Sequence, residues 1–233
     1  MTTLDISDVL ADFPDYRIAL VVAEDLSIGS DRPPGLDAVE AEVARAVGET
    51  PLAEIPELRV WRAAYKAFGV KKTSYRSSVE RLLKQVQQGR GLPRVNALVD
   101  CYNAVSARHR LPVGADDLDK VRGGLAFRHA RDGDDFYALD ADPPVNDPPK
   151  AGEVVYADGE KLLCRRWNWY QDGRSATSPA TRRAVLTVQW LGGDTRLEPA
   201  VEELCAWLQE HCAARTAWAI AESATPRVTV ALD

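Results

Sequence analysis

Cysteine, histidine and methionine are scarce in this chain of 233 residues, and their scarcity excludes several chemistries. There are four cysteines, three histidines and a single methionine. Cys101, Cys164, Cys205 and Cys212 form no C-x-x-C pair, and none stands at ligand spacing from His109, His129 or His211, so no zinc site is encoded. So few cysteines cannot staple a chain of this length, and they read as reduced, mostly buried thiols. No apolar run approaches the ~18 residues of a membrane span, and the N-terminus is acidic and broken by Pro14, unlike a secretory signal. A cytoplasmic protein without membrane contact is the expectation. Phosphate-cradling and dinucleotide-binding glycine loops are missing too; Gly123-Gly124 and Gly192-Gly193 are isolated pairs. With no G-x-S-x-G or H-E-x-x-H either, neither a metal nor a cofactor is implied.

What is present is ordinary globular material, 45% hydrophobic and 27% charged, at the upper end of what one core supports. The net charge of −6 argues against binding DNA or RNA through an overall field. That charge is unevenly spread. Residues 1–58 hold 3 basic and 13 acidic side chains, a net of −10. Residues 59–94 hold 10 basic side chains and one acidic, Glu80, a net of +9, and the remainder carries −5. The chain thus divides into an acidic N-terminal segment, 1–58, packed on a main domain, 59–233. The basic block, with Lys66, Lys71, Lys72, Arg76 and Lys84 as its candidate RNA contacts, is either a solvated helical face or a local polyanion site.

Periodicity predicts helices over 36–47, 55–68, from Thr73 or Ser77 to Gly89, 95–107 and 199–213. Ser77 and Glu80 have the spacing of a capping box. Strands are predicted over 16–23, 125–130, 136–139, 154–156, 161–167, 184–190 and 227–232, with a short one at 218–221. Asp140–Gly152 holds four prolines and reads as a rigid connection without regular structure. Helices first and strands later point to an α+β fold.

Within 93–121, Asn96, Asp100 and Asn103 fall on one helix face, where polar groups either cap buried backbone or face a pocket. The same stretch, with Pro93, Asn96, Val99-Asp100, Asn103, Pro112 and Asp117-Leu118-Asp119-Lys120, resembles the B3/B4 domain of the phenylalanyl-tRNA synthetase β subunit. The downstream order, DDFYALD, EVVYAD and TRRAVLTVQ, is similar as well, and Trp61–Leu92 resembles the stand-alone members of that group. The resemblance spans about residues 59–215. It implies layered β-sheets in a sandwich flanked by helices, an aminoacylated tRNA as partner, and hydrolysis of misacylated tRNA as the activity; the alternatives are a tRNA-binding module without catalysis and a small-molecule-binding protein that keeps only the fold. A separate hydrolytic site supplies discrimination that binding alone cannot reach. On this resemblance Asn96 is the candidate catalytic residue. Gly114 and Thr187 stand where the family has a pocket histidine and a hydroxyl-recognising glutamate, so its tyrosine specificity is not carried over. Arg165, Arg166, Trp167 and Trp169 replace a small Ala/Gly-rich loop; they either line the pocket and stack on a ligand or form buried aromatics with snorkelling arginines.

Overall fold

The computed structural model describes residues 1–70, 75–192 and 197–232. In chain order they form β1 (Thr2–Asp5), α1 (Ser7–Leu10), β2 (Tyr16–Glu24), α2 (Leu36–Val47), α3 (Pro56–Ala67), α4 (Ser78–Gln87), α5 (Ala97–His109), β3 (Val113–Asp117) and β4 (Leu125–His129). There follow β5 (Val154–Ala157), β6 (Leu162–Arg165), β7 (Tyr170–Gln171), β8 (Ala184–Leu191), α6 (Leu197–Cys212), β9 (Arg215–Ala221) and β10 (Arg227–Val230). A six-stranded sheet has the order β10-β1-β4-β5-β6-β7, and a four-stranded sheet the order β3-β8-β2-β9. Among the strand pairs of these sheets, β1–β4 is parallel and the others are antiparallel. The fold is α+β.

β2 shows how the layers are built. Ile18, Leu20 and Val22 pack between the sheets with Leu125, Phe127 and Tyr156. Ala19, Val21 and Ala23 turn the other way, onto Leu98, Cys101 and Val105 of α5 and Leu204 and Leu208 of α6. A strand covered on both faces needs an unbroken apolar run, which is what IALVVA, residues 18–23, supplies. A third cluster joins α2, α4 and α5 through Val39, Val43, Leu83, Val86 and Ala104.

Several expectations are corrected. Residues 136–139 form no strand: Tyr137 and Ala138 make only isolated pairings with Asn146 and Asp172. β6 stops at Arg165, short of the 161–167 run. Ser77 does precede α4, but its side chain makes no capping bond, and the Glu80 carboxylate is bound by Arg62 and Arg76. The division at residue 58 matches no break in the fold: β1 lies inside the six-stranded sheet, and β2 is bonded on both sides in the four-stranded one. The segment Val113–Asp117, unassigned from sequence, is the edge strand β3.

Candidate functional site

A cavity of about 430 Å³ opens between the sheets beside edge strand β3, closed laterally by α4 and α5. Register decides what faces it. Gly114 lies opposite Thr187, and Asp116 opposite Val185. Opposed residues of an antiparallel pair share a face and successive residues alternate, so Gly114, Asp116, Thr187 and Gln189 point into the interlayer space. Ala115, Leu186 and Val188 point to the helices. A Cβ at Gly114 would meet nothing within 4 Å, so the missing side chain leaves its volume to the cavity.

The wall is polar and largely bonded to itself. The Tyr65 hydroxyl donates to Asn168 Oδ1 at 3.0 Å, and Asn168 Nδ2 donates to Gln189 Oε1 at 3.2 Å. Tyr16 also donates to Gln189 Oε1, and Gln189 Nε2 donates to Thr187 Oγ1 at 3.3 Å. On β3, Asp116 Oδ1 accepts from Ser175 Oγ at 2.6 Å and from Gln171 Nε2 at 2.8 Å. Burial pushes the Asp116 carboxyl up to about 7, against the pull of those two bonds. Tyr156, from β5, lines the same space with a buried hydroxyl that has no partner, and burial together with the Asp116 charge raises its phenol.

The opposite wall depends on an unusual turn. After β6, Arg166 and Trp167 both adopt left-handed backbone, with φ of 48° and 65°. Non-glycine residues there cost about 1–3 kcal/mol each, so packing has to hold them. Trp167 N donates to Val154 O at 2.6 Å, and the indole is fully buried against Phe13, Tyr16 and Trp61, with ring centroids at 4.7, 4.9 and 5.3 Å. The chain leaves this turn with Asn168 and Trp169 on the cavity wall. Arg166 sits behind, its guanidinium 3.7 Å from the Tyr75 ring and 4.4 Å from the Trp169 ring.

The residues proposed from sequence therefore separate. Gly114, Trp169 and Thr187 are on the wall. Three others are not. Trp167 belongs to the aromatic core. Arg165 is buried and holds Glu153 through two bonds, at 2.9 and 3.0 Å. Arg166 touches the site only through Trp169. Asn96 caps α5, its Oδ1 accepting from Val99 N at 3.0 Å, and Asp100 Oδ1 accepts from Val95 N. Of that polar face, Asn103 alone reaches the cavity.

Among the proposed RNA contacts, Lys71 and Lys72 lie outside the described residues. Arg76 is no free cation: its Nε is 2.9 Å from the buried Glu80. Lys66 borders a second cavity, of about 290 Å³, with Tyr65 and Arg76. Lys84 is exposed on α4, next to Gln85 of the main cavity's wall, and Arg94 is exposed between wall residues Pro93 and Val95. Arg81, at the rim, donates to Trp169 O and lies over the Tyr170 ring. Among the described residues, no group of three His, Cys, Asp or Glu could hold a metal, and no helix is long and apolar enough to cross a membrane.

The description "B3/4 domain" matches residues 60–213. The chain belongs to the B3/4 domain family. A phenylalanine–tRNA ligase β subunit of Fusobacterium nucleatum is 36% identical over 81 residues, covering 35% of this chain and 10% of that protein. In structure, 92% of the chain is similar to 50% of an N-terminal fragment of the phenylalanyl-tRNA synthetase β subunit from Pyrococcus horikoshii, with a TM-score of 0.48 at 12% identity. This B3/4 domain thus spans a small part of the ligase subunit and half of the archaeal fragment.

Sequence reasoning missed Asp116, Tyr156 and Gln189 in this B3/4 cavity. The available signal lay in β3 and β8: an aspartate two residues from a glycine in one strand, and Thr187 and Gln189 at strand spacing in an otherwise apolar run.

Proposed function

We propose that the chain receives the 3′ end of an aminoacylated tRNA, with the aminoacyl group in the interlayer cavity, and hydrolyses the ester. The observation that carries this reading is a polar cavity of about 430 Å³ with Arg81 on its wall, together with the exposed cations Lys84 and Arg94, which adjoin wall residues Gln85, Pro93 and Val95 in sequence. Neither of the two has an ion-pair partner among the described residues. Phosphates attract such cations within about a Debye length, whatever the net charge of the whole molecule. An aminoacyl ester is already reactive, so water held by Thr187, Asn168 and Gln189 suffices without a nucleophile motif. Membership of the B3/4 family and likeness to a tRNA ligase subunit support the same reading.

The test is a deacylation panel over differently charged tRNAs, with release of the amino acid measured against buffer. Faster release from at least one member is expected; none above buffer removes hydrolysis. Filter binding of tRNA at two salt concentrations tests the contact separately. Affinity should fall as salt rises, and Lys84→Glu with Arg94→Glu should weaken binding and flatten the salt slope by about two units at most. A second reading, binding without hydrolysis, is favoured by one observation: Gly114 and Thr187 bring no proton-transfer group to the wall. Salt-dependent binding with no deacylation would select it.

A further inference from the structure

Asp116 is a buried carboxylate with an unfinished set of partners. It is 5% exposed, lies on the cavity wall, and forms no ion pair with any described residue. Both of its hydrogen bonds fall on Oδ1, from Ser175 and Gln171, which leaves Oδ2 without one. The Lys161 charge acts on Asp116, but Lys161 is committed to Asp158 at 2.6 Å, and Asp172, the neighbouring acid, is held by Arg174 at 2.8 Å. Across the space, the buried Tyr156 hydroxyl is also unpartnered, and the Asp116 charge acts on it as well. Among the described wall residues the one cation is Arg81, at the rim, bonded to Trp169 O and stacked on Tyr170.

An unpaired buried carboxylate is costly to a fold unless something completes it. A phosphate or carboxylate would meet like charge here, and an apolar group would leave Oδ2 unsatisfied. A positively charged nitrogen completes the carboxylate, since it donates to Asp116 Oδ2. The Tyr102 ring on the same wall adds an aromatic face of the kind that attracts cations. We infer that Asp116 forms a subsite for a cationic nitrogen of the ligand, an ammonium or guanidinium group. The inference deepens the reading of the cavity as an aminoacyl site. That nitrogen comes either from the α-ammonium shared by all aminoacyl esters or from a cationic side chain.

Three amides separate the sources by titration calorimetry on the full chain at about pH 7, where Asp116 is about half ionised and an α-ammonium, which loses its proton nearer pH 8, still carries its charge. L-phenylalaninamide carries only the α-ammonium, N-acetyl-L-argininamide only the side-chain cation, and N-acetyl-L-phenylalaninamide neither. At least one cationic amide should bind about tenfold tighter than the neutral one. Preference for the first assigns the α-ammonium, and preference for the second the side chain. Asp116→Asn should erase the difference while near-UV circular dichroism stays that of the parent. Equal affinity for all three amides, no binding of either cationic one, or a preference that survives Asp116→Asn overturns the subsite. A cation preference together with an inactive deacylation panel would overturn hydrolysis and leave the subsite standing.

Discussion

A carboxyl group that titrates near 7 in the folded protein and near 4 when unfolded makes folding less favourable as pH climbs between those values. For Asp116 the sign follows from burial: the folded state holds its proton longer, so stability is full below about pH 4 and declines through about pH 7. Three pH units correspond to roughly 4 kcal/mol. Asp134 and Asp158 act in the opposite sense. Burial raises both, but the bonds from Arg128 and from Lys161 outweigh it and hold them low, so their contribution is lost only as pH falls below about 4. Between about pH 5 and pH 8 the Asp116 effect therefore stands apart. Urea unfolding across that range should show the wild-type chain weakening and Asp116→Asn weakening less, with the variant the more stable at the alkaline end. Parallel curves would mean that the Asp116 charge is compensated. At this scale the sequence was readable where local geometry ruled, as for Asn96, whose position before an apolar helix made capping one of its two open readings. It was unreadable where a distant strand supplied the partner, as for Gln189, whose hydroxyl donor, Tyr16, is 173 residues away.

Secondary-structure elements show the same division. The spans of α2 and α3 followed from period alone, because each buries one stripe: Val39, Val43 and Val47 in the first, Leu58, Trp61 and Tyr65 in the second. β3 was hidden because VGADD has almost no strand propensity. It is a strand because β8 pairs with it along its whole length, and because Gly114 and Asp116 face a cavity that asks for no packing. In α4, long-range charge overrode a local signal. Glu80 takes both oxygens to Arg62, at 2.6 and 3.0 Å, and one to Arg76, while Ser77 makes no capping bond, and the basic block is partly neutralised from within. Glu80→Gln removes the one negative charge that, among the described residues, is paired with two half-buried guanidiniums. It should lower stability by about 1–2 kcal/mol, discounted from a fully buried pair because both arginines touch solvent. Thermal unfolding checks the size, and Glu80→Asp should recover little, since a shorter side chain cannot span both arginines.

At the level of the whole molecule, the run of charge from −10 through +9 to −5 describes the surface, whereas the fold follows strand pairing. That is why a charge-based boundary at 58 cut through a core to which β1 and β2 both contribute. The layer class was visible from the order of periodicities. The sheet orders were not, because β1 and β2 pair with strands more than a hundred residues away.

One of those pairings has a topological consequence. β1 and β10 run side by side, with Thr2 opposite Val230, so the two ends of the described fold stand about 5 Å apart at that rung. The polypeptide is close to a closed loop, and a closed loop has no preferred starting point. Joined by a few glycines and serines, and reopened between the exposed Pro144 and Val145, a circular permutant should fold and melt within about 5 °C of the parent. Failure to fold would show that β1 must be free to dock last. For the same reason a longer polypeptide can enter and leave this sandwich at almost a single point, carrying it as a cassette without drawing its own flanking segments apart.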